Sequence, residues 1–195
     1  MAKNKIIRPC KVLVIGGSAG SLEVLLKLIP EIKYPISFSI VIVLHRKSSV
    51  DSGLAELLAG RTKIPVTEIE DKEQILSNHI YLAPGDYHLL FEKKNMFSLD
   101  FSEKVNYSRP SIDVAFESAA DAYKKDLTCL LLSGANADGS KGMKLAKEMG
   151  SQLAIQDPET AGSPQMPWAA LLNTHMDHIL NVEQMTVFVN SLGKL

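Results

Sequence analysis

Cysteine is nearly missing from this sequence, with only Cys10 and Cys129 in 195 residues. That excludes a disulfide-framed secreted scaffold, and two isolated thiols supply no metal-ligand spacing. An excess of one charge is also lacking, since 21 Lys and Arg stand against 22 Asp and Glu. Aromatics make up 6% of the chain and are not interleaved with basic runs, so no electrostatic footprint for nucleic acid is present. No window approaches 18 consecutive apolar residues, so no membrane insertion is expected. Lys3, Lys5, Arg8 and Lys11 precede an apolar stretch, but Gly16-Gly17 breaks it too early for an ordinary signal peptide. These absences together predict a cytoplasmic protein in a reducing compartment. No repeat, low-complexity tract or linker divides the chain, and residues 1–195 are expected to form a single domain.

What is present is an alternation. Short β-branched or Leu-rich runs at 12–15, 39–44, 127–132 and 153–155 read as strands buried on both faces. Between and after them, helical spacing appears at about 21–30, 51–60, 111–124, 140–149, 165–173 and 183–192. Such alternation predicts an α/β fold: a doubly wound, mostly parallel sheet with helices on both faces. The stretch 79–101 has no helical spacing, and Lys93-Lys94-Asn95 suits a turn, so it is expected to form an antiparallel insertion near one sheet edge. Residues 102–110 read as an exposed loop.

In open α/β sheets, ligands bind outside the carboxyl ends of the strands, so those ends are where chemistry is sought. The first strand runs into Gly16-Gly17-Ser18-Ala19-Gly20-Ser21. Gly-x-Ser-x-Gly is the spacing of a nucleophile elbow, in which a strained turn pushes a serine oxygen outward. A helix N-terminus beside it offers N–H groups to a developing oxyanion. The plainer alternative is a glycine-rich turn in which Ser18 or Ser21 caps the helix. A dinucleotide fingerprint does not fit glycines at 16, 17 and 20, and no Gly-Lys-Ser/Thr element supports a P-loop. The second strand ends at His45, close enough on an adjacent strand to act as a base for that serine. Its alternative is a surface histidine followed by two cations. Beyond the strand at 127–132 stands Asp138, able either to orient the imidazole or simply to cap a helix. The pair His175-x-x-His178 has no third ligand cluster and is a weak metal candidate. His79 and His88 flank an Ala-Pro-Gly turn in structural or substrate-facing roles, and Trp168 suits either packing near the site or a rim position.

The residues around these three strand ends resemble the catalytic domain of the chemotaxis protein-glutamate methylesterases, the CheB type. The resemblance runs from Val14-Ile15-Gly16-Gly17-Ser18-Ala19-Gly20 and Leu44-His45 through Tyr81-Leu82-Ala83-Pro84-Gly85-Asp86-Tyr87-His88. It continues in Arg109-Pro110-Ser111-Ile112-Asp113-Val114-Ala115-Phe116, Leu132-Ser133-Gly134-Ala135-Asn136-Ala137-Asp138-Gly139, Ala154-Ile155-Gln156-Asp157 and Met166-Pro167. It implies Ser18 as nucleophile, His45 as base and Asp138 as the orienting acid, with no metal or organic cofactor. It also implies hydrolysis of γ-glutamyl methyl esters on chemoreceptor cytoplasmic helices, with deamidation of selected glutamines.

The sequence departs from that family in three places. Ala19 and Gly20-Ser21 stand where Thr and Gly-Gly are usual, and losing one oxyanion donor there costs on the order of tenfold to a thousandfold in rate. Gly134-Ala135-Asn136 replaces Gly-Met-Gly, although Ala135 can still offer its main-chain N–H. Residues 158–165 lack the usual Ser-Val-Val-Phe-Gly run, which bears on substrate contacts. About ten residues precede the first strand, too few for the receiver domain that many members carry, so a constitutively open site or a separate receiver or other regulatory partner is expected. The alternatives are a catalytically weakened esterase-like binding module and an esterase for another substrate.

Overall fold

The computed structural model of the protein describes residues 6–46 and 53–193. Seven strands form one sheet: β1 (Val12–Gly17), β2 (Ser39–Leu44), β3 (Val66–Glu68), β4 (His79–Leu82), β7 (Leu127–Leu131), β8 (Gln152–Gln156) and β9 (His178–Leu180). Their spatial order is β3-β4-β2-β1-β7-β8-β9, and every pairing is parallel. The strands β5 (His88–Glu92) and β6 (Met96–Asp100) form a separate antiparallel hairpin.

The central strands β1, β2, β7 and β8 are buried at every position, which is why they read as continuous apolar runs rather than alternating ones. Alternation reappears in which core each residue joins. Val12, Val14, Val41, Val43, Cys129 and Leu131 face one layer, with α3 (Ile112–Tyr123), α4 (Ser140–Glu148) and α5 (Gln165–Asn173). Leu13, Ile15, Ile40, Ile42, Leu130 and Leu132 face the other, with α1 (Ser21–Leu28), α2 (Leu54–Ala59) and α6 (Val182–Ser191). Helix α3 buries Ile112, Ala115, Phe116, Ala119 and Ala120, the i, i+3, i+4 stripe that a core-facing helix requires. The hairpin covers the same layer: Leu89, Phe91 and Phe97 pack with Ile69, Tyr81 and Ala115.

The doubly wound sheet and the hairpin match the expectation, with one correction. Residues 79–82 belong to the main sheet, paired in parallel with β2 through Ser39↔His79 to Ile42↔Leu82, and not to the antiparallel insertion. The run is short and adjoins true hairpin strands, so its burial on both faces was hidden by its neighbours. The turn at 93–95 is where the hairpin reverses, with Lys94 at φ 76° and Asn95 at φ 57°. Strands β3 and β9, three residues each, are too short to show any period. The expected helix start at 51–52 lies outside the described residues.

Candidate active site

The serine and the histidine are placed by strand register. Gly17 pairs with Leu44 at the end of the β1–β2 ladder, and one step further the N–H of His45 donates to Gly17 O at 3.2 Å. The N–H of Ser18 donates to Ser133 O at 2.9 Å, which extends the β1–β7 pairing in the same way. Ser18 follows Val12 and Val14 in phase, and His45 follows Val41 and Val43, so alternation turns both toward the α3 layer. Adjacent strands lie about 5 Å apart, which makes the two residues neighbours.

The nucleophile-elbow expectation is corrected by this geometry. Ser18 is absent from the described non-glycine residues with positive φ, so its backbone is not strained; the left-handed position is Gly20, at φ 82°. The bond to Ser133 O fixes Ser18 at the strand end, and the chain turns directly after it at Ala19-Gly20, closed by Ser21 N donating to Ser18 O at 3.1 Å. Neither serine caps α1, whose N-cap is Gly20; Ser21 instead sends its hydroxyl to Ser18 O at 2.5 Å. Gly16 is needed for close approach, because a Cβ there would lie 2.4 Å from Ile112 Cγ2. Among the described residues, the N–H groups of Ala19 and Gly20, in the turn after Ser18, and of Ala135, in the loop after β7, make no hydrogen bond and remain as donors for an oxyanion.

Asp138 stands two residues before α4 and does not cap it, since the N-cap there is Gly139. Its carboxylate reaches across to the N-terminus of α3. Oδ2 accepts from Ile112 N at 2.7 Å, and Oδ1 accepts from Asp113 N at 3.1 Å and Ser111 Oγ at 2.9 Å. Asn106 Nδ2 adds a bond to Oδ1 at 3.0 Å, and His45 Nε2 lies 2.7 Å from Oδ2. The positive end of the α3 dipole favours an anion at this point. Burial by itself would raise the Asp138 carboxyl, but the hydrogen bonds from His45, Asn106, Ile112 and Asp113 outweigh it and lower the group to about 2. An ionised acceptor assigns the Nε2 proton to His45 and leaves Nδ1 as the basic nitrogen.

A second acid, Asp113, is 3% exposed and accepts from Gly142 N at 2.8 Å and Asn106 Nδ2 at 2.9 Å. Burial raises it against those bonds, and the Asp138 charge raises it further. A pocket of about 260 Å³ opens beside His45, bordered by Arg46, Asp86, Lys104, Tyr107 and Arg109.

The structure thus brings His45 and Asp138 into hydrogen-bond contact and sets Ser18 on the neighbouring strand end, while among the described residues Ser18 Oγ makes no hydrogen bond to His45. Sequence reasoning missed Asn106 and the N–H groups of α3. Ser111 stands at the start of the helix expected over 111–124 and is its N-cap, but nothing periodic marks Asn106, which sits in a segment read only as an exposed loop. His88 is structural: it is buried, donates from Nε2 to Glu103 O and accepts Ser111 N at Nδ1. His79 stacks on Tyr81, His178 lies beside Phe188, and Trp168 is half exposed on α5.

The family model described as CheB methylesterase matches residues 13–189. A Leptospira interrogans protein with a provisional protein-glutamate methylesterase/protein-glutamine glutaminase name is 41% identical over 172 residues, covering 88% of this chain and 89% of its own length. A Thermotoga maritima protein-glutamate methylesterase/protein-glutamine glutaminase is 33% identical, covering 87% of this chain and 50% of its own. The crystal structure of the Thermotoga maritima CheB methylesterase catalytic domain superposes with a TM-score of 0.89 at 31% identity, covering 94% of this chain and 98% of that one.

Proposed function

This chain belongs to the CheB methylesterase family, and from that premise we propose that it removes methyl esters from glutamate side chains through Ser18, His45 and Asp138. It is a carboxylic ester hydrolase of the protein-glutamate methylesterase type. The observation that carries the residue assignment is the 2.7 Å contact between His45 and a buried, ionised Asp138, beside the strand end that bears Ser18.

In this mechanism Ser18 Oγ attacks the ester carbonyl as its proton passes to His45 Nδ1, and Asp138 stabilises the resulting imidazolium through Nε2–H. Free N–H groups of Ala19, Gly20 and Ala135 are the candidates for holding the oxyanion. Collapse of the tetrahedral adduct breaks the bond to methoxide, which takes the His45 proton and leaves as methanol. Water, deprotonated by His45, then releases glutamate from Ser18. The same steps with an amide release ammonia, which is glutamine deamidation. A side chain on a receptor's cytoplasmic helix is the proposed substrate, with a separate receiver or other protein as regulator. No described helix is long and apolar enough to cross a membrane, and a cytoplasmic site of action is part of this reading.

Methanol release from a methylated receptor fragment, measured beside labelling by a serine-directed phosphonate, tests the assignment. Ser18→Ala is expected to abolish both. Turnover retained in that variant refutes Ser18 as nucleophile, and a wild-type protein that takes no label and releases no methanol is instead a binding module.

A further inference from the structure

We propose that Asn106 is a positioning residue for this reaction: its side-chain amide bonds both buried carboxylates and so holds Asp138 in line with His45. The inference rests on the reading of Ser18, His45 and Asp138 given above. Asn106 Nδ2 donates one proton to Asp138 Oδ1 at 3.0 Å and the other to Asp113 Oδ2 at 2.9 Å. The two acids are 1% and 3% exposed. Two carboxylates brought this close repel each other, which pushes Asp138 out of line with His45, or share a proton, which takes up an oxygen that Asp138 needs as an acceptor. A donor between them prevents both. The other bonds are one-sided: α3 holds Asp138 through Ser111 Oγ, Ile112 N and Asp113 N, and α4 holds Asp113 through Gly142 N. Among the described residues, Asn106 supplies the side chain that bridges the pair.

The chain fixes the amide where it is needed. Val105 and Ser108 exchange backbone hydrogen bonds at 3.2 and 3.0 Å, and the two residues between them, Asn106 and Tyr107, have φ of 52° and 62°. Two successive left-handed residues are what a type I′ turn requires, and asparagine tolerates that conformation better than most side chains. The turn is anchored on both sides. Arg109 Nη1 donates to Phe101 O at 3.1 Å and Ser102 O at 2.7 Å, with its guanidinium carbon 4.0 Å above the Phe101 ring. His88 ties Glu103 O to the start of α3. Asn106 itself is exposed, so replacing it removes no core packing.

Asn106→Gly is the decisive variant, because glycine keeps the left-handed backbone and deletes only the amide. Losing the charge-assisted bonds to both carboxylates is expected to lower kcat and the serine-label rate roughly 10- to 100-fold and to lower the melting temperature modestly, with KM nearly unchanged. In an Asp138→Ala background the same change is expected to add nothing, since its target is gone. Three results overturn the proposal: kcat within about twofold of wild type, a loss that falls on KM instead, or an equal loss in the Asp138→Ala background. Ser18→Ala, run alongside, separates the failures. If it stays active, the reading of the whole site falls. If it is dead while Asn106→Gly is normal, only this inference falls.

Discussion

Replacing Asp138 by asparagine keeps the shape of the side chain and changes only what it can accept, so the cost can be worked from its partners. The carboxylate takes five hydrogen bonds, three on Oδ1 and two on Oδ2. An amide turns one of those oxygens into a donor. If the NH2 group takes the Oδ2 place it faces Ile112 N–H; if it takes the Oδ1 place it faces Asp113 N–H and the Asn106 amide. One backbone donor is left buried and unpaired either way, at about 1–3 kcal/mol. Losing the anion at the N-terminus of α3 adds up to about 2 kcal/mol. Asp138→Asn is therefore expected to lose roughly 1–5 kcal/mol near neutral pH, measured by urea unfolding. The deficit should depend on pH. Asp138 is held near 2 in the fold against 3.8 ordinarily, a gap worth roughly 2–3 kcal/mol. A depressed carboxyl contributes its stability above the unfolded value, and loses it as pH falls from about 4 through 2. The raised Asp113 acts with the opposite sign and above that window, adding stability as pH falls through its folded value toward about 4. Wild type and variant should thus converge in acid. Turnover should fall by about 10⁴, the scale for a mis-set histidine tautomer. A variant within 0.5 kcal/mol of wild type at neutral pH, with kcat reduced by less than about tenfold, would refute the claim that this acid orients His45 and holds α3.

Two further outcomes follow from packing. Gly16→Ala drives a methyl group into Ile112 at the start of α3, so a loss of about 1–3 kcal/mol in thermal unfolding and a drop in turnover are expected together; a fully stable, fully active variant contradicts the close approach. Burial pushes both thiols up, Cys10 to about 12, and Cys129 is fully buried, so iodoacetamide at mildly alkaline pH should leave Cys129 unmodified until denaturant is added, as peptide mass mapping will tell. Rapid native labelling at Cys129 is the contrary result.

The parts of the fold that the sequence discloses are those buried on both faces. Residues such as Val41 and Ile42 sit in different cores, yet both are apolar, and a continuous apolar run is what a central parallel strand needs. The strand at 79–82 was misassigned because the buried run is short and stands beside a real hairpin. The strand ends bearing Ser18 and His45 could be located because register is a consequence of strand order. Asp138 was found on its own loop, yet its partners belong to another helix, 25 and 26 residues earlier in the chain, and no local pattern carries that pairing. Asn106 was invisible for the same reason: a polar residue in a turn looks solvated until the tertiary structure places carboxylates beneath it.

The ordinary backbone of Ser18 has a consequence for how this protein can be improved. Where a nucleophile sits in a strained turn, activity is bought with conformational energy, and relaxing that turn hardens the protein. Here Ser18 is tied to Ser133 O without a left-handed backbone, and the turn's one left-handed position is filled by a glycine. The tension between robustness and turnover resides in two acids packed out of water, so selection for thermal hardiness should reach the 106–113 and 138–142 segments and leave the serine's own peptide untouched.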